Sequence, residues 1–356
     1  VRGHSNVQGD RTVGINHNPS AQFLSDLHDS TGIAIPTKPG VDSVRAVKSM
    51  RGGTAKVFLS MGGNFVSAMS DTKATASALS NCSITAQVST KPNRSHLVTG
   101  RTALILPCLG RSEKDHTSVG EQFVSVENSM GIVHSSRGSS KPASRLLRSE
   151  PSIVSGIAGA LDTRIGRSGI AWQDLAEDYD KVRDMIEASV PGFEGYNEKV
   201  RLDGGFYLPN PPRDSRTFPT ESGCANFRVH GLSGASAGPG RFLMMTIRSH
   251  DQYNTTVYGL DDRYRGINKG RRVVLMNQSD MDDNDWSEGD LVDLTSHFEG
   301  TELHAREWYI VPYDIPKGNI ATYFPEANVL VPLDSVAEGS NTPTSKSVVV
   351  TIRAND

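Results

Sequence analysis

The sequence predicts an α/β domain followed by a β-rich domain that closes into a barrel. Two observations carry this expectation. In the first half, apolar strand-like runs alternate with an alanine-rich, helix-forming stretch, giving the order strand, helix, strand, loop, strand. In the second half, short β-type runs recur between glycine- and aspartate-rich turns, and only one short helix fits among them. A chain of 356 residues is long enough for two such domains, each with its own core.

The elements follow in order. Val1 to Gly14 is polar and glycine-spaced without helical or strand periodicity, so it reads as a loop. Between Asp26 and Val47 the chain is mixed, and Pro36 and Pro39 rule out one long element. Lys56 to Met61 is an apolar run that stops at Gly62-Gly63-Asn64 and reads as a strand. Asp71 is a cap for a helix over Thr72 to Leu79, with Asn81 as its stop. Ser83 to Ser89 and Thr102 to Pro107 complete a parallel sheet. Glu121 to His134 suits a strand pair, and Pro151 to Leu161 and Trp172 to Ala188 suit helices. In the second of these, Trp172, Leu175, Tyr179, Val182, Met185 and Ile186 recur at helical spacing and mark a core-facing stripe. Pro191 to Pro219 is rich in Gly and Pro and reads as a linker. Strands are expected over Ala225 to His230, Arg241 to Ile247, Arg272 to Met276, Asp290 to Thr295, Glu302 to Val311 and Ser347 to Ile352, mostly antiparallel. A short helix fits Gln278 to Asp283. The domains are therefore expected at 1–190 and 220–356, joined by the linker at 191–219.

Composition narrows the function classes. A formal net charge of -3 argues against a general nucleic-acid binder, because phosphate neutralisation needs excess Lys and Arg. Cys82, Cys108 and Cys224 are far apart, with no metal-binding spacing, and read as buried thiols of a reducing compartment. No apolar run approaches the roughly 18 residues of a membrane span, and no signal-peptide pattern stands at the start. The first residue is a valine within a motif-like sequence, which suggests a fragment. No HExxH or paired-carboxylate spacing is found, and neither a catalytic nor a metal-ligating residue is assigned.

Binding residues are easier to nominate. In a parallel sheet, ligands bind beyond the carboxyl ends of the strands. Those ends are Gly62-Gly63-Asn64, Ser89-Thr90-Lys91 and Pro107-Cys108-Leu109, with Asn93, Arg94, Ser95 and His96 close behind. Glycines there let backbone approach a phosphate, although the same residues also fit a tight turn and a solvated loop. In the second half, Arg248 to Thr256 concentrates a guanidinium, an imidazole, amides and hydroxyls directly after an apolar strand. That density suits a ligand with many polar edges, and equally a hydrated loop at a barrel rim.

Seven segments in one order carry a resemblance across almost the whole chain: VRGHSNVQGD, the strand ending in MGGN, ALILPCLGRSE, TESGCANF, IRSHDQYNT, DMDDNDWSEGDLVDL and NTPTSKSVVVTI. Together they resemble the C-terminal half of a molybdopterin-dependent oxidoreductase of the formate dehydrogenase-like alpha-subunit type. The resemblance implies that the α/β domain binds a dinucleotide, that the barrel is a double-psi β barrel, and that the cofactor is bis-molybdopterin guanine dinucleotide with molybdenum or tungsten. Carried over by motif, Asn6, Val7, Gln8 and Gly9 would lie beside a pterin. Gly62, Gly63 and Asn64 would form the turn against the dinucleotide, with Gln87, Ser89 and Thr90 at the next strand end. Arg248, Ser249, His250, Gln252 and Tyr253 would hold a pterin and its phosphates, and Asn328, Ser345 and Lys346 would close over the cofactor. The family's metal ligand and any iron–sulfur cluster belong to an N-terminal half absent from this sequence. The implied partners are that missing half, a small-molecule substrate and a redox partner, in the cytoplasm. A rival reading is a non-catalytic binding or assembly module that kept the fold. An ordinary nucleotide-binding enzyme fits less well, because no GxGxxG with a downstream ribose acid is present.

Overall fold

The computed structural model describes residues 5–166, 168–231, 234, 236–255 and 257–355, with backbone only for 5–7. Among the described residues the chain forms two compact units, and each is made from two stretches of sequence. One joins residues 5–41 to 107–230; the other joins 42–106 to 231–355. The expected split into 1–190 and 220–356 is therefore replaced by an interleaved one. The parallel sheet shares a unit with the barrel because Leu333 and Val336, far along the chain, pack among the sheet's own core residues Val44, Val47, Ala78 and Leu79.

In that unit, β1 (Val57–Met61) and β2 (Ile84–Ser89) pair in parallel, from Val57 opposite Ile84 to Met61 opposite Val88. β3 (Thr102–Pro107) lies beside β2. The helix Thr72–Ser80 runs between β1 and β2, and the Asp71 carboxylate caps it by accepting from the Ala74 N–H at 3.0 Å. The helix Ser43–Arg51 precedes β1 and buries Val44, Val47 and Met50, spaced at three-residue intervals on one face.

The other unit holds the hairpin β4 (Asp115–Thr117) and β5 (Gly120–Gln122). It also holds the antiparallel set β6 (Val124–Glu127), β7 (Ile132–Ser136) and β8 (Phe206–Tyr207). Its helix Glu150–Ile165 starts at Ser149, whose hydroxyl accepts from the Ser152 N–H, with Pro151 in the first turn. The expected helix at 172–188 is broken in two, Trp172–Glu177 and Tyr179–Ser189, because Asp178 leaves helical geometry and caps the second piece. Arg183 is buried on that second helix. It donates to Asn197 Oδ1 at 2.7 Å and to the Phe123 carbonyl at 3.2 Å, and it lies over the Phe123 ring.

Three expectations fail in this unit. Ser5–Thr12 is a helix, not a loop. The stretch 191–219 is not a free linker, because Phe193, Tyr196, Val200 and Leu208 form a core with Phe123 and Val133. Its Gly and Pro residues shape tight turns between these buried side chains. Ala225 to His230 forms no strand: Phe227 is 99% and Val229 98% exposed, so no burial rewards the extended pairing that its β-type composition suggested. Of the three cysteines, Cys82 and Cys108 are buried and Cys224 is exposed.

The barrel consists of β9 (Phe242–Ile247), β10 (Val273–Met276), β11 (Leu291–Phe298), β12 (Thr301–Pro312), β13 (Asn319–Tyr323) and β14 (Val348–Ala354). They close in the order β10-β12-β11-β14-β9-β13. Five of these strands match sequence expectations. β13 replaces the failed one; it is short and buried along most of its length, so it shows no alternation. Pairing is mixed, since β10 with β12 and β9 with β13 run parallel. Parallel neighbours need long crossovers, which the residues between β9 and β13 supply. β11 alternates between its two faces, with Val292, Leu294 and Ser296 inside. Met244, Val274, Leu294, Ile310 and Ile320 fill the interior.

The packing of 193–208 predicts that Phe193→Ala destabilises its unit by about 3–5 kcal/mol. Urea denaturation with hydrogen exchange read over residues 123–133 measures this. A change under about 0.5 kcal/mol would restore the linker reading.

Candidate functional site

Strand directions gather the site. β9 and β13 are parallel, so the loops that follow both leave the barrel at one end. β14 runs antiparallel to β9, with Val348 opposite Met244, which brings its preceding residues Ser345 and Lys346 to that end. β10 runs antiparallel to β13, which places the preceding Arg271 there too. Residues from four separate parts of the sequence thus share one rim.

The loop after β9 has two faces. Ser249 is buried, and its hydroxyl accepts from Arg271 Nη1 at 2.9 Å. Gln252 is held on both ends of its amide. Its oxygen accepts from Arg271 Nη2 at 2.9 Å and from the Ser249 N–H at 3.1 Å; its nitrogen donates to the carbonyls of Asn254 and Phe324. Arg248, His250 and Tyr253 face outward and are exposed. Arg248 donates to Asn254 Oδ1 at 2.8 Å and lies over the Phe324 ring.

Lys346 reaches back to this loop and donates to the Thr246 carbonyl. Partial burial of the ammonium, and then the neighbouring Arg248 guanidinium, hold its pKa below the ordinary lysine value. Among the described residues, neither cation makes an ion pair. Ser345 contributes its carbonyl, which accepts from the Thr246 N–H.

His250 is oriented by a buried carboxylate. Its Nδ1 lies 3.0 Å from Asp262 Oδ1, while Asp262 Oδ2 accepts from Tyr323 Oη at 2.8 Å and Arg265 Nη1 at 2.7 Å. Burial alone would raise the Asp262 pKa, but hydrogen bonds from Tyr323, Arg265 and His250 outweigh it and hold the carboxyl at about 2.

The second cluster surrounds the end of β1. Gly62 and Gly63 adopt φ of 66° and 72°, a region that residues with a Cβ rarely occupy. A Cβ at either would meet nothing within 4 Å, so the space beside the turn is open. Asn64 is buried, and its Oδ1 accepts from Ser95 Oγ at 2.8 Å; Gly63 O accepts from Asn93 Nδ2 at 2.7 Å. Gln87 donates to the Ser95 carbonyl at 3.0 Å, and Ser89 to the Lys91 carbonyl. Thr90 is exposed at the strand end. The loop after β2 is thereby fastened to the Gly-Gly turn, and Ser95 is the knot.

A groove of about 290 Å³ is lined by Arg94, from the loop after β2, with Arg272, His304, Arg306, Glu307 and Glu326. Asn328 binds the same parts together from beneath: its side-chain amide donates to the carbonyls of Ser67 and Ala68 and so closes the short helix Phe65–Ala68. Gln8 and Gly9 belong to the other unit. There Gln8 is buried and donates to Glu127 Oε1 at 2.6 Å, while its own amide oxygen is buried without a hydrogen-bond partner among the described residues. The side chains of Asn6 and Val7 lie outside the described residues.

Sequence reading missed Arg271, Asp262, Arg265 and Tyr323. No local pattern distinguishes them, because each earns its place through a partner more than two residues away. Among the described residues, no three His, Cys, Asp or Glu side chains lie together as a metal site, and no helix is long and apolar enough to cross a membrane.

The geometry defines a class: a closed mixed barrel with a hydrogen-bonded polar cluster at its rim, in one unit with a parallel sheet that ends in a glycine turn. Residues 242–349, which span the barrel, match the family described as the Molydopterin dinucleotide binding domain. An uncharacterized oxidoreductase of Mycobacterium tuberculosis is 51% identical over 356 residues, covering 98% of this chain and 45% of that protein. Protein YdeP of Escherichia coli is 42% identical over 362 residues, covering 100% of this chain and 47% of its own length. The chain thus spans about half the length of these relatives. Acetylene hydratase from Pelobacter acetylenicus shares the fold, with a TM-score of 0.60 at 10% identity over 98% of this chain and 52% of that one.

The depressed Asp262 pKa yields a pH prediction. A carboxyl held below its unfolded value of 3.8 stabilises the fold above that pH, and the contribution is lost as pH falls towards about 2. Asp262→Asn should therefore cost at least about 2 kcal/mol at neutral pH, with the gap to wild type narrowing in acid. Urea denaturation across this range measures it; a pH-independent gap would contradict the ionised-carboxylate account.

Proposed function

We propose that the chain is the cofactor-binding C-terminal portion of a molybdopterin-dependent oxidoreductase of formate dehydrogenase-like type. The observation that carries this reading is the pair Arg248 and Lys346, two cations that both hydrogen-bond to residues 246–254 and make no ion pair among the described residues, on a barrel that matches a molybdopterin dinucleotide binding family. Cations converging without a carboxylate call for an anion, and a pyrophosphate supplies it. The open Gly62–Gly63 turn fits the same group, since backbone can approach where no side chain intervenes.

In this reading the ligand is molybdopterin guanine dinucleotide, in a bis-pterin arrangement with molybdenum or tungsten. When bound, that group supplies two-electron redox chemistry towards a small substrate such as formate. This chain's own residues bind and orient it. Arg248 and Lys346 neutralise phosphate charge, Tyr253 and His250 flank the ligand from the outer face of the loop, and Gly62, Gly63 and the Asn93–His96 segment line the opposing wall. Gln8 and Gly9 would meet a pterin, and the orphaned amide oxygen of Gln8 offers it an acceptor. The two parallel strand pairs support a double-psi arrangement of the barrel. The parent protein would act in the cytoplasm, its metal-ligating half and redox partner lying outside this sequence.

GDP, which carries the guanosine and pyrophosphate of the cofactor, tests the phosphate reading. Calorimetric titration at low salt should show binding that weakens with added salt, and Lys346→Gln should weaken it about tenfold, the equivalent of about 1.4 kcal/mol. Salt-insensitive binding, or none, would overturn the assignment of Arg248 and Lys346.

A further inference from the structure

Arg271 stands two residues before β10, and its side chain is only 4% exposed. Its guanidinium donates to four acceptors: Glu326 Oε1 at 3.0 Å, Ser249 Oγ at 2.9 Å, Gln252 Oε1 at 2.9 Å and the Phe324 carbonyl at 2.8 Å. The rings of Tyr258 and Tyr323 lie 4.4 and 4.9 Å from its central carbon. A buried guanidinium is costly unless its charge and its N–H groups are both satisfied. Glu326 answers the charge, and the other three acceptors answer the planar fork.

Two of the four acceptors are side chains of the loop after β9. That loop has little backbone pairing of its own: Tyr253 and Val257 form its one bridge among the described residues. A loop that lacks a ladder takes its shape from side-chain anchors. With Ser249 and Gln252 drawn inward, Arg248, His250, Asp251 and Tyr253 are left exposed.

We propose that Arg271 is the positioning residue of this loop: by gripping Ser249 and Gln252 it fixes the outward set that meets the ligand phosphates. The inference rests on reading the loop as phosphate-binding. Arg271 itself meets no ligand; it acts through the residues it holds. Lysine cannot substitute, because a point ammonium with three donors cannot span four acceptors arranged around a planar fork.

The test is Arg271→Ala in the chain as it stands, with Arg271→Lys alongside. Two readouts are taken: GDP affinity by calorimetry, and hydrogen exchange of the amides of residues 249–254. Both variants should bind GDP at least about tenfold more weakly and exchange at least about tenfold faster in the loop, equivalent to about 1.4 kcal/mol. Tens of millimolar methylguanidinium should restore both properties to Arg271→Ala. The same additive should leave the Lys346→Gln defect unrepaired, which separates positioning from direct phosphate contact. Unchanged affinity and loop exchange in Arg271→Ala, or a defect that methylguanidinium does not repair in a folded variant, would overturn the proposal. Should Arg271→Ala fail to fold, the double variant Ser249→Ala/Gln252→Ala removes the same grip, and unaltered loop exchange there is equally fatal. If wild type binds no GDP, the phosphate reading fails; loop exchange still decides whether Arg271 positions the loop.

Discussion

Closure of the barrel is the constraint on which the rest depends. β13 must sit between β9 and β10, parallel to one and antiparallel to the other. That insertion sends the loop after β9, the residues before β10, the turn after β13 and the residues before β14 to the same rim. No shorter connection could bring Arg248, Arg271, Glu326 and Lys346 together, because parallel neighbours require a long crossover. Function therefore depends on topology before it depends on any single side chain.

At that rim the charges are arranged in two layers. Beneath lie ionised groups with several partners each: Arg271 among Glu326, Ser249, Gln252 and Phe324, and Asp262 among Tyr323, Arg265 and His250. Above them, Arg248 and Lys346 make no ion pair among the described residues and hydrogen-bond to Asn254 and the Thr246 carbonyl. The lower layer is costly to bury and is held by multiple hydrogen bonds; the upper layer keeps its charge available to an anion. Groups whose charge is answered within the fold hold its shape. The parallel sheet repeats the scheme on a smaller scale, where Ser95 fastens the strand-end loop and Gly62–Gly63 leaves space open.

Much of this was legible in sequence wherever one stretch carried its own signal. The Gly-Gly turn, the Asp71 cap and the alternation of β11 each reflect local geometry, and the structure shows all three. Other features had no local signal. β13 is buried on both faces, which erases alternation, while Ala225 to His230 alternates yet stays exposed because no partner strand covers it. Ser249 and Gln252 read as members of a polar cluster indistinguishable from Arg248 and Tyr253; only the guanidinium of Arg271 turns them inward.

By itself the sequence determined the local vocabulary: which runs are strands, where helices are capped, where glycine must take a left-handed turn, and which loops are dense in polar groups. Tertiary structure alone decided that residues 42–106 join the barrel's unit, that residues 193–208 are core rather than linker, and which polar side chains are anchors. The physical reason is that propensity and capping act within a few residues, whereas burial and the satisfaction of a buried charge depend on partners brought together across the chain.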